Sequence, residues 1–359
     1  MRRRPLLLAL AAAPLAGRAA PVQPGRALAF PRDHGAHPDA RTEWWYATGW
    51  LAEPGSHEPR FGFQVTFFRS RTGIAPDHPS RFAASQLVFA HAALTDLAAR
   101  RLRHDQRIAR AGFGIAEAAG DDTRVALRGW RFERGGGIDA SVYRAQLASD
   151  AAGFAFELEL AATQPLLLQG DAGFSRKGPL PTQASHYYSQ PQLAVRGTLV
   201  REGRAQAVQG RAWLDHEWSD EILPAEAVGW DWIGINLLDG GALTAFRLRR
   251  ADGSALWAGG SLRAPGGPVR AFAPGEVRFE PLARWTSPAS RAAYPVEWRI
   301  VTPAGTQRVR ALLADQELDS RASTGAIYWE GLSELLDEGG RRIGLGYLEM
   351  TGYAARLRL

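Results

Sequence analysis

The sequence has 359 residues, of which 45% are hydrophobic and 22% charged, the composition of a globular protein rather than of a disordered chain or a membrane bundle. This length exceeds one ordinary core and fits two domains of roughly 150 residues each. No cysteine is present, which excludes disulfides, thiolate metal sites and a cysteine nucleophile.

The first residues have the three-part layout of a secretory signal. Arg2–Arg4 precede an apolar run at Leu6–Leu15, and small residues follow at Gly17 and Ala19. The run is shorter than the roughly 20 apolar residues that span a bilayer, so we predict a cleaved signal peptide at residues 1–19 and no transmembrane segment in the mature chain. The protein is then periplasmic or secreted, and the arginine pair leaves both the Sec and the twin-arginine route open.

The basic character of the chain is not that of a nucleic-acid-binding protein. Without the four arginines of residues 1–19, the formal net charge falls from +6 to +2. Lys177 is the only lysine, and the arginines are spread through the chain rather than grouped into a phosphate-binding stripe. We therefore predict no nucleic-acid partner.

Alternation of apolar and polar residues with a period of two dominates the mature chain. It places four apolar side chains on one face in each of two runs, at Phe61, Phe63, Val65 and Phe67 and at Phe154, Phe156, Leu158 and Leu160. Ala326–Leu336 and Ile343–Tyr353 flank the turn signal Asp337–Gly340, which predicts a hairpin. No long window has helical spacing with caps, so we predict an all-β chain with few, short helices. The 12 Trp, 15 Phe and 8 Tyr favour ligand-holding barrels over sandwiches.

One unusual motif, Glu43-Trp44-Trp45-Tyr46, places a carboxylate beside three consecutive rings. On a strand, Trp44 and Tyr46 share one face while Glu43 and Trp45 share the other. If Glu43 points inward, burial raises its pKa and makes it a proton donor near neutrality. The alternative is that Glu43 pairs with an arginine such as Arg41 or Arg32 and orients the strand.

A second motif, Asp215-His216-Glu217-Trp218, divides in the same way. His216 and Trp218 share one face of a strand, and Asp215 and Glu217 share the other. Hydration of an alkene needs an acid that protonates carbon, an aromatic face that stabilises the cation and a base that directs water. We therefore expect the ring-rich strands to close around a dry chamber onto which His216 and Trp218 face.

Other chemistries have weaker support. Gly259-Gly260-Ser261 is not a nucleophile elbow, so the sequence does not indicate a serine hydrolase. Asp33, His34 and His37 are the only residues with ligand spacing, but loop histidines are more often hydrogen-bonded than metallated, so we predict no metal and no cofactor. His91 is expected on a strand, where its ring is either hydrogen-bonded in the core or in contact with ligand.

These motifs, together with Phe30–His37, Phe89–Asp96 and Tyr328–Gly331, closely resemble the AttH-like family. That family includes bacterial carotenoid 1,2-hydratases, and its members are often described as predicted secreted hydrolases. The resemblance spans nearly the whole mature chain. It implies two tandem lipocalin-like antiparallel β-barrels, an AttH-like N-terminal domain at residues 30–225 and a C-terminal domain at residues 229–359.

The resemblance also implies site residues. A His-x-Trp pair of the carotenoid hydratases carries over to His216 and Trp218, but the region that matches their Tyr-x-Asp pair, residues 241–247, contains no acid. Asp231, between two tryptophans, is the substitute that the sequence offers. The predicted catalytic set is His216, Trp218, Asp231 and Glu43. The predicted ligand-binding set is Trp44, Trp45, Tyr46, His91, Trp230 and Trp232.

The leading hypothesis is an exported protein that binds a hydrophobic ligand, isoprenoid or lipid-like, and either hydrates it as a lyase or, with less support, hydrolyses it. Two alternatives stay open. In a non-catalytic lipid-binding or assembly module, Glu43, His216 and Asp231 would stabilise the junction of the domains with no apolar cavity beside them. A cofactor-free isomerase or cyclase would share the cavity. The sequence leaves the identity of the ligand and the oligomeric state open.

Overall fold

The computed structural model describes residues 22–75 and 77–357, and β-strands dominate this part of the chain. The predicted signal peptide at residues 1–19 lies outside the described residues. Helical structure here consists of two 3₁₀ turns, Arg32–His34 and Ile138–Ala140. None of the described helices is long and apolar enough to cross a membrane.

The first antiparallel sheet has thirteen strands. In chain order they are β1 Thr42–Ala52, β2 Phe61–Arg71, β3 Gln86–Asp96, β4 Arg101–Arg110, β5 Ala116–Ala118, β6 Arg124–Leu127, β7 Trp130–Gly135, β8 Val142–Ser149, β9 Phe154–Ala161, β10 Leu167–Leu168, β11 Phe174–Arg176, β12 Ala184–Arg201 and β13 Arg204–Ser219. The spatial order is β4-β3-β2-β1-β13-β12-β9-β8-β7-β6-β5, with β10 and β11 paired to β12. Strands β3 and β4 approach β5 and β6 at the other end of this order, so the sheet curls into a nearly closed barrel.

The second antiparallel sheet has ten strands. They are β14 Gly229–Leu237, β15 Ala242–Arg249, β16 Ala255–Arg263, β17 Val269–Phe272, β18 Arg278–Thr286, β19 Ala293–Thr302, β20 Gly305–Ala311, β21 Glu317–Ser320, β22 Ala326–Leu336 and β23 Arg342–Met350. Their order is β17-β16-β15-β14-β23-β22-β20-β19-β18, with β21 paired to β22. The predicted all-β, lipocalin-like fold built from antiparallel sheets is confirmed. The division of the chain into domains at residues 225–229 stays a prediction, although the first sheet ends at Ser219 and the second begins at Gly229.

Period-two alternation builds a separate core for each sheet. The apolar face predicted at Phe61–Phe67 and the one at Phe154–Leu160 both lie inside the first barrel. Trp298 and Ile300 lie in the core of the second sheet. Because large rings fill both interiors, each sheet encloses mainly protein side chains.

The predicted hairpin at Asp337–Gly340 is present between β22 and β23. Asp337 closes the turn, since its carbonyl accepts from the amide of Gly340 at 3.0 Å and its Oδ1 accepts from the amide of Arg341 at 2.9 Å. Gly340 has a φ of +81°, a conformation that residues with a Cβ rarely adopt. The turn fixes the register that places the side chains of β22 opposite those of β23.

The two sheets pack against each other through a third set of buried residues, which comes from both halves of the chain. Strand β1 lies near β23, and β13 lies near β14. Polar groups also join the sheets: the amide of Gln192 donates to Oδ1 of Asn236 at 2.7 Å, and Thr95 donates to Oε1 of Gln316 at 2.9 Å. The junction is therefore a packed interface.

Gly62 on β2 allows this close approach. A Cβ added at Gly62 would lie 2.7 Å from the hydroxyl oxygen of Tyr347 and 3.0 Å from Cβ of Leu332. We predict that Gly62→Ala lowers the free energy of unfolding by about 1–3 kcal/mol through overpacking. Urea unfolding followed by circular dichroism measures this change.

The control is Gly137→Ala, because a Cβ there meets nothing within 4 Å. This variant should stay within about 0.5 kcal/mol of the wild type. Equal stability of the two variants would contradict the packing argument.

Candidate active site

The pairing of β1 with β13 divides both aromatic motifs between two faces of one sheet. Trp45 lies opposite His216, and Tyr46 lies opposite Asp215. The first pair points into the N-terminal barrel, whereas the second points toward the other sheet. The expected alternation of these motifs is therefore present, and each face carries a different cluster of ionisable groups.

Glu43 is the centre of the cluster inside the barrel, where it is fully buried. Its Oε1 accepts from Nδ1 of His37 at 2.7 Å and from Nε2 of His216 at 2.9 Å. Its Oε2 accepts from Nε of Arg69 at 2.8 Å. Burial alone would raise the pKa of Glu43, but the hydrogen bonds from His216 and His37 outweigh it and hold the pKa well below its ordinary 4.5.

This arrangement corrects the expectation that burial makes Glu43 a proton donor near neutrality. The carboxylate stays ionised because its donors come from three directions. The alternative interpretation is an arginine partner. The structure has such a partner, but it is a different arginine from those expected. The partner is Arg69 on β2, which lies directly opposite Glu43 in the register rather than beside it in the sequence.

His37 links this cluster to the loop before β1. Its ring stacks on Trp218, with ring centroids 3.7 Å apart, and its Nε2 lies 2.9 Å from Oδ1 of Asp33. The two ring nitrogens of His37 therefore contact two different carboxylates, those of Asp33 and Glu43. Tyr188 continues the network through its hydroxyl, at 3.1 Å from His216.

Among the described residues, His37, Glu43 and His216 are the one group with the spacing of a metal site, since their ligand atoms lie within 4.8 Å of one another. Both carboxylate oxygens of Glu43 are already hydrogen-bonded, and Arg69 balances its charge. A divalent cation would have to displace these bonds. The arrangement fits a structural network better than a metal centre.

Asp231 lies within the core of the second sheet. Its Oδ2 accepts from Nε of Arg247 at 2.7 Å, and its Oδ1 accepts from the hydroxyl of Tyr353 at 2.8 Å. Its neighbours Trp230 and Trp232 point to the opposite face of β14 and line a cavity. The catalytic set predicted from the sequence is thus divided between two interiors.

A cavity of about 280 Å³ opens between the two sheets, just below the roughly 300–1,000 Å³ usual for small-molecule sites. Its aromatic lining is Trp44, Tyr46, Phe68, Phe89, His91, Tyr187, Trp230, Trp232, Phe246 and Tyr328. Its ionisable lining is Lys177, Asp215, Glu217, Glu330 and Glu349.

This location corrects the expectation that His216 and Trp218 face the chamber, because the cavity lies on the opposite face of β13. Of the predicted ligand-binding residues, all but one line the cavity. Trp45 is the exception and stacks on His216 at a centroid distance of 4.7 Å. Contact of the other five with a ligand stays a prediction.

Glu330 and Glu349 lie directly opposite each other on β22 and β23. Burial and the charge of Glu349 raise the pKa of Glu330 well above 4.5. Burial, together with the charges of Asp215 and Glu217, raises the pKa of Glu349 to about 7. The pair therefore keeps at least one proton at neutral pH.

Hydrogen bonds orient Glu330. Nε2 of Gln64 donates to Oε2 of Glu330 at 2.8 Å and to the hydroxyl of Tyr328 at 3.1 Å. Oε1 of Glu330 is fully buried, and an interaction with Tyr46 opposes part of the rise in the pKa of this carboxyl group. Nδ1 of His91 lies 2.8 Å from the same hydroxyl of Tyr328, and burial lowers the pKa of His91 to about 3, so this ring is neutral.

Asp215 is the third acid with a raised pKa. It accepts from Ser189 at 2.6 Å, from Tyr187 at 2.7 Å and from Nε1 of Trp213 at 2.7 Å. Burial outweighs these bonds and raises the pKa of Asp215 to about 7. The cavity thus combines an apolar wall with carboxylic acids that are partly protonated near neutrality.

The sequence contained partial signals for these acids. Asp215 and Glu217 belong to the motif Asp215–Trp218, but they lie on the face opposite His216 and Trp218. Glu330 lies within the motif Tyr328–Gly331. Glu349 belongs to no sequence motif. Only its pairing with Glu330 on β22 identifies it as part of the site.

The fold and the site define a lipocalin-like, two-sheet β-protein with an acid-bearing cavity at its junction. The chain belongs to the AttH-like family, whose model matches residues 21–353. A search of the curated proteins gives no match.

Solved structures extend this relationship. A protein of Nitrosomonas europaea described as AttH is 48% identical, with a TM-score of 0.85, covering 93% of this chain and 99% of its own. Kievitone hydratase from Nectria haematococca is 13% identical, with a TM-score of 0.68, covering 94% and 97%. CghA is 11% identical, with a TM-score of 0.53, covering 93% and 96%. At such identities the last two show a shared fold.

The ionised Glu43 predicts a defined pH dependence of stability. Because its folded-state pKa lies below its ordinary 4.5, its contribution is complete above that value and is lost as the pH falls toward the folded-state pKa. We predict that Glu43→Gln lowers the free energy of unfolding at pH 7 by about 3–5 kcal/mol, since buried Arg69 loses its counter-charge. The loss of stability below pH 4.5 should also be shallower in this variant.

Glu280→Gln is the matched control, because Glu280 pairs with Arg299 at the exposed surface. Its effect should stay within about 0.5 kcal/mol. Urea unfolding of both variants between pH 3 and pH 7 compares them. A Glu43→Gln variant as stable as the control would show that the network does not depend on the charge.

Proposed function

We propose that this protein binds an unsaturated hydrophobic small molecule, isoprenoid or lipid-like, in the cavity between its sheets and either adds water to it or shifts its double bond. The observation that carries the proposal is the placement of Glu330. Its carboxyl group belongs to the lining of the cavity, directly opposite Glu349, and Gln64 holds Oε2. The proton that Glu330 holds at neutral pH therefore lies in the wall of the binding site.

The pair Glu330 and Glu349 supplies both halves of acid–base chemistry. The environment pushes their pKa values apart, so near neutrality Glu330 holds its proton while Glu349 titrates near pH 7. Such a pair assigns an acid and a base. Glu330 gives its proton to one alkene carbon, and Glu349 takes a proton either from an attacking water or from a neighbouring carbon. Transfer of that proton back to Glu330 restores the starting state.

The walls of the cavity suit the intermediate. Trp44, Trp230 and Trp232 belong to its lining, and the electron-rich face of an indole stabilises a cation within about 6 Å. An apolar wall also limits the water that reaches the cation. With one admitted water the result is hydration, and with none it is isomerisation.

The names of two structural relatives accord with chemistry on a small organic molecule. One is named a hydratase, for kievitone, and CghA has been solved with Sch210972, in a structure with a TM-score of 0.51 to this chain. These low-identity matches show the fold alone, so the acid pair of this chain carries the argument. A hydrolase has no comparable support in the described residues.

The assembly-module alternative has less support. It expects Glu43, His216 and Asp231 at the junction of the domains with no cavity nearby. In the structure these three residues lie inside the two cores, and a cavity occupies the junction. The catalytic set predicted from the sequence stays testable, because His216→Ala removes a ring that does not line the cavity.

The proposal predicts a pH optimum. Turnover requires one proton on the pair, so it should rise as Glu349 ionises near pH 7 and fall at higher pH as Glu330 loses its proton. We predict that Glu330→Gln lowers turnover about 10²–10⁴-fold while ligand affinity is kept. The assay incubates monoterpenes and sesquiterpenes with the protein in D₂O and measures deuterium at carbon by mass spectrometry.

Glu334→Gln is the control, since Glu334 lies on the same strand but pairs with Arg310 and Arg342 and does not line the cavity. It should leave turnover unchanged. Unchanged deuterium incorporation in Glu330→Gln would exclude this acid. If His216→Ala lost turnover and Glu330→Gln did not, the reaction would take place inside the N-terminal barrel, where His216 lies.

We also propose export, which rests on the layout of residues 1–19. The N-terminal sequence of protein recovered from the periplasm should then begin at Ala20. Recovery of the intact Met1 chain from the cytoplasm alone would contradict export.

A further inference from the structure

The strongest feature that the acid chemistry does not use is Lys177, the only lysine among 359 residues. It follows β11, lines the cavity and is only 5% exposed. The aromatic rings of Tyr187 and Phe246 lie 4.8 Å and 4.4 Å from its Nζ. A charged side chain is rarely buried among rings without a specific partner.

The partners of Lys177 use only two of its three donors. Nζ lies 2.8 Å from Oε1 of Glu217 and donates to Oγ of Ser175 at 3.2 Å. An ammonium group has three N–H donors and no acceptor. The third donor has no acceptor within residues 22–75 and 77–357, and Lys177 is the one cation of the cavity lining.

We propose that Lys177 binds the carbonyl oxygen of the ligand, so that the natural substrate is an uncharged ketone or aldehyde on an apolar skeleton. This inference rests on the proposed binding function of the same cavity. A neutral acceptor is favoured over a carboxylate because Glu217 already balances the charge of Lys177. A second anion would add an uncompensated charge to a site that already contains Asp215, Glu330 and Glu349.

A carbonyl held in this way lets the same acid pair add water through an enolate, stabilised by Lys177, instead of through a cation. When the double bond is conjugated with the carbonyl, water forms a C–O bond at the β-carbon, and the π electrons move to the oxygen that Lys177 holds. Glu330 then gives its proton to the α-carbon, which restores the ketone, and the proton of the attacking water passes to Glu349. Atoms and charge balance, and no other reactant is required.

The test uses three molecules of one skeleton and isothermal titration calorimetry. Limonene is the hydrocarbon, carvone adds a conjugated ketone and perillic acid adds a carboxylate. The wild type should bind carvone about tenfold or more tightly than limonene, which is the usual effect of a hydrogen bond to a charged group. Perillic acid should bind more weakly than carvone at pH 7.5.

Lys177→Met should bind carvone and limonene with nearly equal affinity. Because this change leaves Glu217 without its counter-charge, Lys177→Met/Glu217→Gln provides a second, charge-balanced variant for the same comparison. Infrared spectra of carvone labelled with ¹³C at the carbonyl supply an independent signal. The stretch should shift to lower frequency in the wild type and return toward the free value in both variants.

The outcomes separate this inference from the proposed function. Equal affinity for carvone and limonene in the wild type, or a preference for carvone that survives in both variants, overturns the role of Lys177 but leaves the cavity as a binding site. Tighter binding of perillic acid than of carvone overturns the neutral carbonyl. Absence of binding by all three molecules overturns the binding function and this inference together.

Discussion

The antiparallel pairing of β1 with β13 is the constraint on which the rest of the structure depends. It places the motifs Glu43–Tyr46 and Asp215–Trp218 on adjacent strands. Because side chains alternate along a strand, each motif contributes to both faces of one sheet. Glu43 and His216 become part of a closed network inside the barrel. Asp215 and Glu217 become part of the wall of the cavity. A shift of one residue in this register would exchange the two sets, since successive strand residues face opposite sides.

The two faces show that burial does not by itself determine ionisation. Glu43 and Glu330 are both buried glutamates, yet the pKa of the first is lowered and that of the second is raised. Glu43 receives hydrogen bonds from two histidines and an arginine, whereas the donors to Glu330, Gln64 and Tyr46, are neutral and Glu330 faces another carboxylate. Stabilisation of the charged form therefore decides which acid is structural and which can carry a proton.

The same reasoning explains what the sequence could predict. Alternation is local, so the fold class, the hairpin at Asp337–Gly340 and the two-faced motifs follow from it directly. The identity of the face that borders a cavity depends on where the second sheet packs, and no local pattern encodes that. Glu349 and Lys177 are distant in sequence from both motifs, and their role arises only from tertiary contacts. The partner of Glu43 was misassigned for this reason, because Arg69 lies opposite it on another strand.

The position of the cavity follows from the packing of the two cores. Large rings such as Trp45 and Trp298 fill the interiors of the sheets, whereas the cavity with the aromatic lining lies at the junction. Its wall then takes Asp215 from the first sheet and the pair Glu330 and Glu349 from the second. A ligand bound there would contact both sheets and would stabilise their association, because binding to the assembled form alone shifts the equilibrium toward it. Separation of the sheets would expose the acids to water and return their pKa values toward ordinary ones, so the proton-carrying property belongs to the junction rather than to either sheet.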